Sequence, residues 1–443
     1  MKYKVLMACS VMLCYLSVSV CAQEQSSPDS RYTLEQVMQE AGKYAKVLQE
    51  KSLGVQEQEV RIKDAINKRL PVVNVNGMYA RVSNIPLYTK GIFAAPQQQP
   101  VIHQGYALEG QASLNLYSGG TVKRDIAIRK LELEGAREQE QLTLTEVKLR
   151  CAVYFYELLR NEQFKQLIEQ EIVYDKKLLK EISSLYKNGT VLKSDVLRAE
   201  IKVSGRELLL SEVKNNRIIA SQQLNILMGR PDSAALFVDA QQLDMPVLDT
   251  RLYEDYLSAA WQYSFEMKLA ANAIDVAALH KKQVKAAILP HVSLFANYGY
   301  NYPQIRSYPY ADAMYGMGQT GVKVSMPVSN LYLNKHQVKA AGIAYDKQRL
   351  QQAQQADVIK QEVMAAYLHY KEALEKIGVA KQHIVQATES LRILRNSYFN
   401  QQSLLTDMLD SETALLQSKF DLTSAYVNAH IEFYKLLKVS GKI

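Results

Sequence analysis

The feature that most constrains the fold is a unit that occurs twice along the chain. At a separation of 219 residues, Leu70-Pro71 corresponds to Leu289-Pro290. At a separation of 212 residues, Asp195-Val196-Leu197 corresponds to Asp407-Met408-Leu409. These matches predict a tandem duplication, in which each repeat is one structural unit. The predicted segments are a first repeat at 23–230, a linker at 231–249 and a second repeat at 250–443.

Two long stretches without proline predict the main helices. All eleven prolines lie outside 101–230 and 328–443, and both stretches are rich in Leu, Glu, Lys, Gln and Ala at helical spacing. A helix over 121–185 would be about 98 Å long, and helices of that length pack side by side as coiled coils. Another helix is expected to open each repeat, the first with Thr33 and Gln36 at capping-box spacing. The predicted long helices are 121–185, 193–228, 331–397 and 404–438.

Two short segments in each repeat alternate between apolar and polar residues, which predicts β-strands. The predicted strands are 72–82, 106–116, 291–300 and 315–326. In the second of them, the apolar face consists of Tyr106, Leu108, Gly110, Ala112, Leu114 and Leu116. Strands of about ten residues with one apolar and one polar face are typical of a membrane β-barrel.

The tyrosines near these strands also favour a barrel, because they cluster at strand ends and in loops like an interfacial girdle. They are Tyr88, Tyr106, Tyr302, Tyr308 and Tyr310. The alternative is a pair of soluble hairpins packed on a core. Four strands cannot close a barrel alone, since the smallest closed bacterial barrels have about eight strands. If these strands span a bilayer, several chains must share one barrel, because an open edge in lipid leaves backbone groups unsatisfied.

The predicted fold class is therefore mainly α, with duplicated long coiled-coil helices and four strands per chain that contribute to a membrane β-barrel. Residues 1–22 read as a secretory signal, with two lysines, an apolar run and small residues before the cleavage point. Cleavage would leave Cys151 as the sole cysteine, although lipidation of Cys21 is an alternative. The remaining net charge of +6 is not typical of a protein that binds nucleic acid.

The residues at the helical turns resemble those of a known family. The order helix–strand–strand–long helix–helix occurs twice, Leu-Pro precedes the strands, and Tyr–x5–Leu–x2–Asp–x–Leu begins at Tyr186 and again at Tyr398. This arrangement is similar to that of the TolC outer-membrane efflux proteins. The resemblance implies a homotrimer in the outer membrane with a shared twelve-stranded barrel and a helical tunnel in the periplasm. It also implies a periplasmic adaptor and an inner-membrane pump as partners, and neither a cofactor nor an enzymatic activity.

In that family, acids at the tip of the tunnel ring a nearly closed aperture, and a tyrosine there helps to hold it shut. The matching positions here are Asp407, Asp410, Tyr398 and Asp195. A spacing of three residues puts Asp407 and Asp410 on one helix face. Around a three-fold axis they would form a ring of carboxylates that attracts cations. The alternative for Asp195 and Asp407 is that each simply complements the dipole of the helix that it begins.

Three departures indicate that the closing network is rewired in this chain. Asp410 has Arg198 as its counterpart in the first repeat, which favours either a pairing between them or a role for Asp410 in the lumen. Ser403 lies where the family often has a basic residue, and Gln401 replaces the glycine that the first repeat keeps as Gly189.

The two turns at the hairpin ends are predicted to bind the adaptor. The candidate docking residues are Gly189, Thr190, Gln401 and Gln402. The alternative is that each is an ordinary solvated turn.

Other motifs do not predict a site. The glycines of 316–321 match G-x-G-x-x-G but begin a strand rather than a helix, so no dinucleotide site is expected. The seven histidines lack the spacing of a zinc site, and no metal or catalytic centre is predicted. Two other functions remain open: a periplasmic coiled-coil scaffold without a pore, and a diffusion porin that works without partners. The cargo cannot be read from the sequence.

Overall fold

The computed structural model describes residues 31–239, 251–304 and 311–443. The predicted signal peptide, most of the linker, Tyr308 and Tyr310 lie outside these residues. Within them the chain is mainly helical and carries a single four-stranded sheet, so the predicted fold class is confirmed. No described helix combines the length and the apolar character needed to cross a bilayer.

The helix that opens each repeat is divided in two, which differs from the single helix expected. In the first repeat, α1 (Leu34–Tyr44) and α2 (Lys46–Asn67) meet at Ala45, whose backbone is extended and which is buried. The capping box at the start of α1 is present, because the Gln36 amide donates to the Thr33 hydroxyl at 3.3 Å and the Thr33 amide donates to the Gln36 side chain at 3.0 Å.

The sheet consists of four antiparallel strands in the order β1-β4-β5-β6, so both repeats contribute two neighbouring strands. The first repeat contains β1 (Val72–Arg81), β2 (Ile85–Leu87), β3 (Gln97–Gln99) and β4 (Gln104–Ser118). The second repeat contains β5 (His291–Tyr302) and β6 (Tyr315–Ser325). Strands β2 and β3 form a small separate hairpin in the loop between β1 and β4, which the sequence analysis did not predict.

The strand register aligns the apolar residues of all four strands on one face. Tyr79 pairs with Tyr106, which pairs with Tyr302, and the rings of Tyr106 and Tyr302 stack with their centroids 4.5 Å apart. A bulge in β4 corrects one assignment: Tyr117, rather than Leu116, lies opposite Val292 on the apolar face.

The other face of the sheet is polar. One row across it contains a carboxamide from every strand, which we call the amide row: Asn74, Gln111, Asn297 and Gln319. In the next row the Glu109 carboxylate accepts a hydrogen bond from Asn297 Nδ2 at 3.0 Å. An apolar face and a polar face on the same sheet are what a barrel wall between lipid and water requires.

Two long helical hairpins form the rest of the molecule. In the first repeat, α3 (Thr121–Lys187) has 67 residues and turns into α4 (Lys193–Leu227). At 1.5 Å per residue α3 is about 100 Å long. Both hairpins run away from the sheet, since α3 begins directly after β4.

The second repeat follows the same plan. Helix α5 (Tyr253–Tyr263) and α6 (Phe265–Lys285) are separated by Ser264, and a short 3-10 turn leads into β5. The short helix α7 (Asn330–Leu333) then precedes α8 (Lys335–Phe399), which turns into α9 (Leu405–Val439).

The largest core lies where the two hairpins meet α1. It is built mainly from α1, α3 and α4 and includes the fully buried Phe155 of α3 and Leu224 of α4. Val427 of α9 joins the same cluster, so the second repeat packs directly on the first. Smaller apolar clusters follow the hairpins toward their tips.

Candidate gate at the tips of the helical hairpins

Both hairpin turns have the same backbone geometry, the Schellman motif. In the first turn the Gly189 amide donates to Tyr186 O at 2.9 Å and the Thr190 amide donates to Leu185 O at 3.0 Å. In the second turn, residue 401 donates to Tyr398 O at 2.9 Å and Gln402 to Ser397 O at 2.8 Å. All four predicted docking residues are exposed on these turns.

The second turn is formed without glycine. Gly189 has φ +74°, and Gln401 has φ 61°, which is the only positive φ of a non-glycine residue in the described ranges. A Cβ atom disfavours this left-handed conformation. The replacement of glycine by Gln401, noticed in the sequence, therefore changes the stability of the turn but not its shape.

Tyr398 fastens the tip of the second hairpin to the first. Its side chain is 7% exposed, and it packs in a cluster with Leu178 and Ile182 of α3 and Met408 of α9. Burial, and then the nearby charge of Asp195, raise the pKa of the Tyr398 hydroxyl. That hydroxyl is buried and has no hydrogen-bond partner within the part of the chain that the structure describes.

The counterpart in the first repeat behaves differently, because Tyr186 is 43% exposed. The two repeats are therefore not equivalent at the tip. The prediction that Tyr398 helps to hold the tip is untested, but only this tyrosine of the pair lies in the interface between the hairpins.

The predicted acids lie on the outside of this cluster. Asp407 and Asp410 are exposed, whereas Met408 and Leu405 of the same helix turn inward. Asp195 is half-buried at the start of α4. Such exposed acids near a helix N-terminus complement its dipole, and they are also free to face a lumen.

The pairing of Asp410 with Arg198 is not present within one chain. Among residues 31–239, 251–304 and 311–443, no ion pair joins these two side chains, and both are exposed. Arg198 belongs to α4 and Asp410 to α9. The alternative, a role for Asp410 in the lumen, therefore stays a prediction.

Ser403 has a structural role in the second turn. Its hydroxyl donates to Leu394 O at 3.3 Å and so ties the turn back to α8. A cation that was not predicted from the sequence lies nearby: the Arg395 guanidinium is 5.2 Å from the ring centroid of Tyr174. This cation–π contact joins α8 of the second repeat to α3 of the first.

A buried group of charges, also missed, lies about three helical turns from the tip. It consists of Asp175 on α3, Lys202 and Arg206 on α4, and Glu412 on α9. A signal was present in the sequence, because Asp175 occupies one position of an otherwise apolar stripe on α3. That stripe consists of Ile168, Ile172, Asp175, Leu178 and Ile182, all of them buried.

The described residues do not bring three metal-ligating side chains together. The candidate gate consists of turns, packed helices and charged side chains.

The fold is similar to that of several solved membrane proteins, among them channels of the outer membrane. The solved structure of CusC matches with a TM-score of 0.76, at 16% identity and over 92% of each chain. VceC from Vibrio cholerae matches with a TM-score of 0.73, at 16% identity, over 92% of this chain and 96% of VceC. The open state of MtrE from Neisseria gonorrhoeae matches with a TM-score of 0.71, at 16% identity, over 92% of this chain and 88% of MtrE.

Sequence comparison gives matches to the same kind of protein. Residues 256–441 match the model of the family described as "Outer membrane efflux protein". "Outer membrane protein TolC" from Escherichia coli (strain K12) is 26% identical over 289 residues, which are 62% of this chain and 57% of TolC. Residues 256–441 thus match the family that the sequence resemblance predicted, and TolC is a similar protein over part of its length. The alignment spans little more than half of the TolC relative.

Proposed function

We propose that three copies of this chain form an exit duct that carries small molecules from a periplasmic pump assembly across the outer membrane. The observation that carries this proposal is the pair of free edges of the sheet. Strands β1 and β6 each have a hydrogen-bonded neighbour on one side only, within the described residues. An unpaired edge is not tolerated in lipid, where every backbone amide needs a partner.

The direction of the strands supports closure into a ring of copies. Three successive antiparallel pairings make β1 and β6 run in opposite directions. The β6 edge of one copy can therefore pair antiparallel with the β1 edge of the next. Three copies supply twelve strands, which is enough for a closed barrel, whereas four strands are not.

Exposed apolar stripes on the helices support the same assembly. On α4 the exposed Leu197, Ile201 and Leu208 follow helical spacing. On α8 the exposed Ile343 and Leu350 are one heptad apart. Unpartnered apolar stripes of this kind are covered by neighbouring helices in coiled-coil assemblies, and here the neighbours would be helices of adjacent copies.

The oligomeric state tests this proposal directly. We expect the protein purified in detergent to have the mass of three chains by native mass spectrometry and to aggregate when detergent is removed. A leaderless chain that is monomeric and soluble in plain buffer would favour the coiled-coil scaffold without a pore.

We further propose that the tip is the gate of the duct, with Asp407 and Asp410 lining the aperture. Their exposure and their shared helix face support this role. Replacing both by alanine is expected to raise single-channel conductance in a planar bilayer and to weaken block by multivalent cations. Asp421→Ala, an exposed acid on the same helix but farther from the tip, is the matched control.

Wild-type conductance of the double variant would remove these acids from the gate. A large conductance of the unmodified protein without any partner, unchanged by the double variant, would favour the diffusion porin.

The exposed turns are proposed to dock the periplasmic adaptor. Cysteines introduced at Thr190 and Gln402 are expected to cross-link to the adaptor in cells that produce both proteins. A cysteine at Gln98, in the β2–β3 hairpin at the opposite end of the molecule, is the control and should give no such product. Equal cross-linking at all three positions would contradict specific docking at the turns.

A further inference from the structure

The buried charges of Asp175, Lys202, Arg206 and Glu412, which we call the inter-repeat clasp, connect the two repeats near the tip. Their side chains are 2%, 12%, 13% and 3% exposed, respectively. Two negative and two positive groups balance one another. Charges this deeply buried are retained only when they are paired.

Lys202 is the centre of the clasp because it contacts both acids. Its ammonium lies 3.4 Å from Asp175 Oδ1 and donates a hydrogen bond to the Glu412 carboxylate. The Arg206 Nε lies 3.7 Å from the other Asp175 oxygen. Since Lys202 belongs to α4 and Glu412 to α9, a single side chain joins the hairpin of the first repeat to the hairpin of the second.

Further contacts extend from the clasp toward the centre of the molecule. On α3, one turn from Asp175, Glu171 pairs with Lys419 of α9 at 2.9 Å. Farther from the tip, the rings of Phe164 on α3 and Phe420 on α9 lie with their centroids 4.3 Å apart. The connection between α3 and α9 is therefore continuous from the clasp toward the centre of the molecule.

Between the clasp and the turns the connection is weaker. The only buried cluster described there is the one around Tyr398, whose hydroxyl lacks a partner. Beyond it are exposed turns, one of them with the left-handed Gln401. From Asp175 to the end of α3 at Lys187 the helix covers about 18 Å.

We propose that Lys202 is a positioning residue that keeps α9 fixed on α3 and α4, so that movement of the gate is confined to the helix ends beyond the clasp. The clasp is then the stationary point of the gate and stays intact when the aperture opens. This inference rests on the proposed function for its role in transport, but the rigidity of the clasp can be measured separately. Breaking a buried ion pair leaves an unpaired charge in a buried position. The free-energy cost of that charge opposes movement of α9 far more than the loss of an exposed ion pair would.

A chemical tether distinguishes a stationary point from a latch that must open. In a Cys151→Ala background, Lys202→Cys with Glu412→Cys would be joined by a bis-methanethiosulfonate reagent, with joining verified by a mobility shift. We expect transport to persist in the joined protein. Joining Leu178→Cys with Met408→Cys, in the cluster beyond the clasp, is expected to block transport until the tether is reduced. Loss of transport on joining 202 to 412, restored by reductant, would overturn the proposal.

Amide hydrogen exchange tests the clasp without any transport. In the wild type we expect fast exchange at the tip and a sharp rise in protection at the clasp. Lys202→Met is expected to accelerate exchange in α9 around residue 412 by about a hundredfold or more, because two buried acids lose their partner. Lys176→Met is the matched control, since its ion pair with Glu207 also joins α3 to α4 at 2.7 Å but is 56% and 51% exposed. The control is expected to change exchange by less than about fivefold.

Unchanged exchange in Lys202→Met would overturn the proposal. If that variant fails to assemble, Glu412→Gln provides the same measurement with a smaller perturbation, and Lys202→Arg should retain the wild-type profile. A wild-type protein that does not transport at all would contradict the proposed function, while leaving the exchange profile to decide on the clasp.

Discussion

The left-handed positions of the two hairpin turns are occupied by Gly189 and Gln401. Substituting each by the residue of the other should change the stability of its turn, in opposite directions for the two turns. The left-handed conformation costs a non-glycine residue about 1–2 kcal/mol. Glycine loses more backbone entropy on folding, which costs about 0.5–1 kcal/mol. The difference predicts that Gln401→Gly stabilises its turn by about 0.5–1 kcal/mol and that Gly189→Gln destabilises its turn by a similar amount, because both turns share the same hydrogen bonds.

Hydrogen exchange at the C-terminal ends of α3 and α8 is the appropriate assay, since it reports opening of the turns rather than unfolding of the whole assembly. The predicted free energies correspond to about two- to fivefold slower exchange in Gln401→Gly and equally faster exchange in Gly189→Gln. Gln402→Gly is the matched control, because residue 402 has no positive φ and should only lose stability. The reasoning would be refuted if Gln401→Gly and Gly189→Gln shifted the hydrogen-exchange rates in the same direction. It would also be refuted if Gln402→Gly slowed hydrogen exchange as Gln401→Gly is expected to do.

Three further outcomes are expected. Phe155→Ala in the main core should cost about 3–5 kcal/mol of unfolding free energy in denaturant titrations, whereas Phe93→Ala at a fully exposed site should change it by less than about 0.5 kcal/mol. Burial raises the pKa of Glu266, but the hydrogen bond and charge of Lys438 outweigh it, so the pKa lies below its ordinary value of 4.5. The resulting stability exists above pH 4.5 and disappears as the pH falls through the lower folded pKa, so Lys438→Met should flatten the acid limb of a melting-temperature profile. Tyr398→Phe removes a buried hydroxyl without a partner and should leave exchange at the tip unchanged or slower; faster exchange would show that a neighbouring copy bonds this hydroxyl.

The elements that follow a strict period could be predicted from the sequence. Helical spacing over long proline-free stretches identified α3 and α8, and alternation identified the apolar face of the sheet. Both signals are local, because each depends only on residues that are neighbours along the chain. The duplication strengthened them, since the long helices and the strands of the four-stranded sheet occur in both repeats.

Features that depend on partners far away in sequence were not predictable. The backbone breaks at Ala45 and Ser264 lack glycine or proline, and only Ser264, which caps α6, is a residue type that favours a helix start. The bulge that replaces Leu116 by Tyr117 arises from pairing with β5 in the other repeat. Lys202 and Glu412 are 210 residues apart, so their contact exists only after the two hairpins have packed.

The candidate gate contains one feature that could be predicted from the sequence and one that could not. Gly189 and Gln401 could be recognised from the repeat, because a left-handed turn position has a sequence signature. The surroundings of Asp410 could not be predicted. Residue spacing indicates neither that its side chain is exposed nor that it forms no ion pair with Arg198 among the described residues.

The amide row gives the polar side of the sheet a band without net charge. Carboxamides donate as well as accept hydrogen bonds, so they can interact with anions, cations and neutral solutes alike. A charge nevertheless lies in the next row, because the Glu109 carboxylate accepts a hydrogen bond from Asn297 of the amide row. In the proposed duct, an electrostatic preference of the wall at this depth would therefore come from Glu109 and not from the amide row.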